Sequence, residues 1–171
     1  MAMNRRVSIR AARPGDGPGL AELHLDISRY YVDLAPDGFQ MPDSEGLAEH
    51  FDPKPDPPDH RIWLVAEAEG EIVAAVIAHM QPSSPAARWA QPWLGDPSVY
   101  VDYLAVLGKW QRRGIARRLV DVADRWALGQ GAVRVITDTY LDSPLSVPFW
   151  TTGQGYRQRG ILLPKVIGSD P

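Results

Sequence analysis

Between Leu107 and Arg118 the chain carries Lys109, Arg112, Arg113, Arg117 and Arg118 and no acidic residue. The preceding stretch, Val99–Val106, is rich in β-branched and apolar residues and reads as a strand. After Gly114, apolar residues recur at helical spacing. A strand that runs into a basic, glycine-containing turn at a helix start is a place to hold an anion. The first turn of a helix presents free N–H groups and the positive end of its dipole. Gly114 removes a side chain where a ligand must approach the backbone. Successive amides flanked by arginines suit a pyrophosphate. The turn lacks the Gly-Lys-Ser/Thr of a phosphate-binding loop and the repeated glycines of a dinucleotide fingerprint.

A second charged region has the opposite sign. Residues 26–59 contain Asp26, Asp33, Asp37, Asp43, Glu45, Glu49, Asp52, Asp56 and Asp59 against Arg29 and Lys54, a balance of 2 − 9 = −7. Such a rim attracts cations, and the competing reading is a solvated acidic loop. Tyr30 and Tyr31 close the first expected helix, one of them facing inward, and Trp89 and Trp93 sit in a long loop at 81–98. Aromatic side chains beside an acidic rim suit an amine with an apolar or planar body; packing is the alternative. The four histidines, His24, His50, His60 and His79, have no metal-ligand spacing, and no metal is expected. His79 lies in an expected strand, from which it could approach the cleft, and a packed histidine is the favoured reading.

Composition bounds these readings. With 171 residues the chain is expected to form one domain with its own core. Its net charge of −3 argues against a general nucleic-acid or membrane binder. The absence of cysteine excludes disulfides, a thiolate metal site and a cysteine nucleophile, and fits a cytoplasmic protein. No apolar run marks a signal peptide or a membrane span.

The elements that must position these residues follow from periodicity. Val7–Ala11 reads as a strand, then Asp16 as the cap of a helix with Leu20, Leu23, Ile27 and Leu34 on one face. A short helix is expected at Ser44–Phe51 with Ser44 as its cap. Ile62–Ala68 and Glu71–Met80 flank Glu69-Gly70 and read as a hairpin. The helix from Gly114 to Leu128 shows Ile115, Leu119, Val122, Ala123 and Trp126 on its apolar face, and Gly129 and Gly131 end it. Val133–Thr139 reads as a strand, Pro144–Thr152 as a short helix capped by Ser143, and Tyr156–Leu163 as a last strand. The order is β-α-(α)-β-β-β-α-β-α-β, with the two strands of 99–139 parallel and right-handed in their connection. The expected fold class is α+β, an α/β sandwich with a mixed, mostly antiparallel sheet and flanking helices.

Gln111-Arg112-Arg113-Gly114-Ile115-Ala116 fits [Q/R]-x-x-G-x-[G/A], directly after a strand ending Leu104-Ala105-Val106 and directly before a helix. Phe149-Trp150-Thr151-Thr152-Gly153-Gln154-Gly155-Tyr156 follows an aromatic-x-x-x-Gly-aromatic pattern with one extra residue. Together with the element order over about residues 7–163, this resembles the GNAT family of N-acetyltransferases. The resemblance implies a splayed parallel strand pair with acetyl-CoA, the co-substrate, lying in the cleft. It assigns the cofactor to backbone groups of Leu104, Ala105 and Val106, to the turn Gln111, Arg112, Arg113, Gly114, Ile115, Ala116 and Arg117, and to Ser143, which stands where the family often has Asn. It implies direct attack of an amine on the thioester, with an amide near Val106 stabilising the oxyanion.

The family often draws its base from the strand. By period 2, Tyr100, Asp102, Leu104 and Val106 share one side of it. Asp102 and Tyr100 are therefore the catalytic candidates, Asp102 serving as base directly or through water, or else binding a substrate ammonium. The family's usual tyrosine acid is replaced by Trp150, and an indole donates no proton at neutral pH. Tyr140, Tyr156, water or unassisted departure of the thiolate remain. Tyr30, Tyr31, Asp33, Trp89 and Trp93 are the substrate-side candidates, for a small cationic primary amine. The alternatives are an acyl-CoA-binding regulatory module without turnover, and a modifier of protein or aminoacyl-tRNA. A homodimer is a further possibility that the family suggests.

Overall fold

The structure, a computed structural model, describes residues 7–55, 58–84 and 95–160. Two compact units divide the chain, Met1–Asp138 and Thr139–Pro171.

The first unit contains a five-stranded sheet in the order β1-β2-β3-β4-β5. Its strands are β1 (Ser8–Ala11), β2 (Arg61–Ala68), β3 (Glu71–Gln81), β4 (Ser98–Val106) and β5 (Arg134–Thr137). The pairs β1–β2, β2–β3 and β3–β4 are antiparallel and β4–β5 is parallel, so the mixed sheet expected from the sequence is present. The β2–β3 hairpin turns on Glu69 and Gly70, both with positive φ (56° and 81°), the two-residue geometry whose twist matches the strands. Val73 to Ala78 are buried without a break, as a central strand covered on both faces requires.

Helices α1 (Gly17–Leu34) and α3 (Ile115–Gly129) pack on β3 and β4, while the short α2 (Leu47–His50) packs on α1. Leu20, Ala21 and Leu23 are the buried residues of α1's inner face. In α3, Ile115, Leu119 and Ala123 are buried as expected, but Val120 and Ala127 complete the face and Val122 and Trp126 are only half-buried. The contact line is therefore turned toward the small residues, which let the helix approach the sheet.

Asp16 stands at the N-cap of α1, yet its carboxylate makes no capping bond. It accepts from the Arg10 guanidinium at 2.7 and 2.9 Å and from the Arg13 N–H at 2.9 Å. Asp52 supplies the cap instead, accepting from the Gly15 and Gly17 N–H groups at 2.8 and 2.9 Å. α2 is shorter than the expected 44–51 helix, because Gly46 takes a left-handed conformation (φ 72°) at its start. The strand expected at Val133–Thr139 narrows to Arg134–Thr137.

In the second unit α4 (Ser146–Pro148) continues into a π-helical turn, Phe149–Gly153. The helix starts two residues later than the expected Pro144, with Leu145 as its N-cap and no capping side chain there, while the Ser143 Oγ accepts the Ser146 N–H at 3.0 Å from just upstream. Residues 156–160 form no strand, contrary to the expected Tyr156–Leu163, and 161–163 lie outside the described residues.

Candidate active site

Pairing between β4 and β5 stops at Val101↔Thr137. Beyond it β4 runs on to Val106, so residues 102–106 keep an open edge on the β5 side among the described residues. The Leu107 N–H donates to the Val73 carbonyl at 2.9 Å, so Leu107 and Ala105 turn their peptide groups toward β3. By alternation those of Leu104 and Val106 face the open side. The Val106 carbonyl there accepts from the Gln111 side-chain amide at 3.2 Å. Of the three strand residues expected to contribute backbone groups to a ligand, Leu104 and Val106 are thus placed to do so, and Ala105 is turned away.

The turn after β4 is held from three sides. Trp110 is buried, with the Arg113 guanidinium 4.8 Å from its ring centre. Asp26 of α1 accepts the Gly108 N–H at 2.9 Å. Arg112 and Gly114 both have positive φ, 60° and 74°, which bends the chain sharply into α3. Gly114 is the N-cap of α3 and has no side chain to close it, so the N–H groups of Ile115, Ala116 and Arg117 are the free first-turn donors. A Cβ added at Gly114 would meet no atom within 4 Å.

The basic cluster is only partly directed at this opening. Lys109 pairs with Glu71 at 2.6 Å, Arg113 donates to the Lys109 carbonyl and Arg118 to the Val7 carbonyl. Arg112 and Arg117 are exposed beside the turn.

A group of polar side chains gathers where β4 and β5 part. In the β3–β4 register Ala78 faces Val101 and Ile77 faces Tyr103, so Asp102 is an extra residue, a β-bulge. The bulge overturns the expectation that Tyr100, Asp102, Leu104 and Val106 share a side. Tyr100 and Tyr103 lie opposite His79 and Ile77, whereas Leu104 and Val106 lie opposite Val76 and Ala74. One inserted residue shifts every later side chain to the other face. Asp102 stays with Tyr100, and its Oδ2 is 2.7 Å from His79 Nδ1. The side chains of His79 and Asp102 are 31% and 33% exposed, so His79 is not the packed histidine that its strand position suggests. Tyr100 donates its hydroxyl hydrogen to Asp138 Oδ1. Burial, then the bond to Asp138, pushes the Tyr100 phenol up to about 12. It is a neutral donor at any working pH, not an acid poised near neutrality.

Sequence reasoning missed Asp26 and Asp138 as site residues. Neither carries a local signal, since Asp26 is 82 residues from Gly108 and Asp138 is 38 from Tyr100. The acidic run at 26–59 is partly structural, with Asp26 and Asp52 committed to backbone amides. Tyr30 and Tyr31 at the end of α1 are both half-buried and touch edge to face at 5.2 Å, and Tyr31 stacks on Phe39 at 4.9 Å. Asp33 is exposed. Trp89 and Trp93 lie outside the described residues.

Ser143 belongs to the second unit and is buried, and its hydroxyl oxygen accepts the Ser146 N–H. Trp150 is also buried there, between the rings of Phe149 and Tyr156 at 4.9 Å each, while Tyr140 is exposed. No group of three or more His, Cys, Asp or Glu side chains is placed to hold a metal ion among the described residues. No helix among them is long and apolar enough to cross a membrane.

The fold recurs in solved structures. A mutant of the BH1408 protein from Bacillus halodurans superposes with a TM-score of 0.73 at 18% identity over 94% of this chain and 99% of that one. The aminoglycoside acetyltransferase meta-AAC0020 from an uncultured soil metagenomic sample, in complex with sisomicin, gives 0.62 at 19% over 95% and 97%. The aminoglycoside N-acetyltransferase AAC(6')-Iy in complex with CoA gives 0.64 at 18% over 96% and 98%. No curated protein matches the chain. The model of the acetyltransferase (GNAT) family matches residues 24–156, which takes in the forked strands, the basic turn and helix α3. The chain therefore belongs to the GNAT family of acetyltransferases.

Proposed function

We propose that this protein is an acetyl-CoA-dependent N-acetyltransferase that moves the acetyl group directly to the primary amine of a small cationic molecule. The observation that carries the reading is the open edge of β4 leading into an uncapped α3 N-terminus. An extended amide-bearing arm pairs with a strand edge, and a pyrophosphate suits free helix amides. Those two features meet at one turn and fit the two halves of CoA. The peptide groups of Leu104 and Val106 take the pantetheine arm, and the amides of residues 112–117, with Arg112 and Arg117 beside them, take the pyrophosphate. Gln111 holds the Val106 carbonyl and so fixes the end of the strand.

The Val106 N–H, on the open side, serves as donor to the thioester oxygen as it gains charge. The polar group around Asp102 lies at the fork and supplies the proton-transfer site. Asp33 and the other exposed acids of 26–59 bring in a cation, and Tyr30 and Tyr31 offer apolar faces beside them. The complexes of meta-AAC0020 with sisomicin and of AAC(6')-Iy with a CoA–neamine bisubstrate analogue add weight to a polyamine-like acceptor.

The test is release of free thiol from acetyl-CoA against a panel of aminoglycosides, polyamines, amino acids and peptide N-termini. Amine-dependent release with a preference for small polycations is expected. Acetyl-CoA binding without release for any amine would leave a regulatory module. Release only with peptides or charged tRNA would make the acceptor macromolecular.

A further inference from the structure

We propose that His79 is the group that takes the proton from the attacking amine, and that Asp102 is the positioning residue that holds His79 in the reactive tautomer. The inference rests on the acetyl-transfer reading above and deepens it.

Three observations carry it. First, His79 Nδ1 and Asp102 Oδ2 are 2.7 Å apart, so a carboxylate accepts the Nδ1 hydrogen and leaves the Nε2 lone pair for another partner. Second, the pair stands at the bulge. His79 lies directly opposite Tyr100 in the register, and Asp102, two residues on and on the same side as Tyr100, is the extra residue that has no partner of its own on β3. Bulges of this kind recur beside reactive sites. Third, the pair stands at the fork. β4–β5 pairing ends at Val101, one residue before Asp102, and the second carboxylate there, Asp138, is already occupied by the Tyr100 hydroxyl. Both members are about one-third exposed, so the imidazole is reachable from outside while held from within.

An imidazole is better matched than a carboxylate to proton transfer near neutrality. The amine nitrogen attacks the thioester carbonyl carbon and a C–N bond forms. The amine proton passes to His79 Nε2. The C–S bond then breaks with its electron pair on sulfur, and the imidazolium proton passes to that thiolate, directly or through water.

The experiment uses the full chain and the best acceptor from the amine panel. Wild type, H79Q, H79A and D102N are compared by acetyl-CoA titration calorimetry, steady-state thiol release, and ¹⁵N NMR of the His79 ring. We expect H79Q to lower kcat by about 10²-fold or more, with its acetyl-CoA Kd close to that of wild type. D102N lowers kcat by a smaller factor. Added imidazole restores part of the H79A rate. The NMR spectrum shows the Nδ1–H tautomer in wild type and a shift toward Nε2–H in D102N, a readout that needs no turnover. An Nε2–H tautomer in wild type, or an H79Q kcat close to that of a turning-over wild type, overturns the proposal and leaves the acetyl-transfer reading standing. A wild type that turns over no amine removes both.

Discussion

Replacing Gly114 separates backbone strain from charge at the proposed pyrophosphate site. The residue caps α3 at φ 74° and ψ 9°, and an added Cβ meets nothing within 4 Å. Gly114→Ala therefore causes no clash and costs only the left-handed conformation, about 1–2 kcal/mol. At about 2–4 °C per kcal/mol for a chain of this size, the melting temperature falls by about 2–8 °C. Gly114→Asp adds one negative charge beside the free amides of Ile115 to Arg117. A charge about 4 Å from a phosphate repels it by about 1 kcal/mol in bulk water and about 4 kcal/mol at an effective dielectric near 20. Acetyl-CoA affinity should then fall about 5-fold to 10³-fold relative to Gly114→Ala, since about 1.4 kcal/mol is tenfold. The site is open to solvent, so the gap between the two variants should narrow in about 1 M salt, where the screening length drops to about 3 Å. Calorimetric titration at low and high salt, with thermal denaturation as the folding control, measures all of this. A folded Gly114→Asp protein that binds acetyl-CoA at low salt as well as Gly114→Ala does would refute the placement of the pyrophosphate.

Three further predictions concern the framework. Asp52→Ala removes the acceptor of the Gly15 and Gly17 N–H groups; it should cost about 1–2 kcal/mol in denaturant titration, and an unchanged midpoint would show that water replaces the cap. Glu69→Asn eases a left-handed residue in the β2–β3 turn (φ 56°) and should raise stability by up to about 1 kcal/mol, seen as a higher melting temperature. Burial raises the Asp16 carboxyl pKa, but the Arg10 guanidinium and the Arg13 N–H outweigh it and hold the group below its ordinary 3.8. A depressed folded-state pKa means stability that is present above the unfolded value and lost as pH falls through the folded one. Asp16→Asn should therefore destabilise by about 1.5–3 kcal/mol at about pH 7, and the gap from wild type should begin to narrow as the pH falls below about 4 and close only as the folded-state pKa is passed; a gap that grows as the pH falls would contradict the assignment.

What the sequence determined by itself was local. Apolar, β-branched runs at 62–80 and 99–106 specified strands, and Glu69-Gly70 between two such runs specified their turn. Spacings of three and four placed α1 and α3. The anion-binding turn was legible for the same reason, because strand, basic turn, glycine and helix start are contiguous from Tyr103 to Arg118, and helix amides need no distant partner to be free. The length of the edge left open was not legible, since it depends on where β5 stops pairing, and β5 proved shorter than its apolar pattern.

Tertiary structure alone decided the side-chain partnerships. The bulge at Asp102 follows from the registers that β3 and β4 adopt, not from any residue type at 102, and it moved Leu104 and Val106 off the side that strict alternation gives them. His79 found Asp102 across 23 residues, Asp52 reached Gly15 across 37 and Asp26 reached Gly108 across 82. A carboxylate reads the same in sequence whether it faces solvent, caps a helix or orients an imidazole. Which it does is fixed only when the sheet closes and each buried or half-buried donor must find an acceptor.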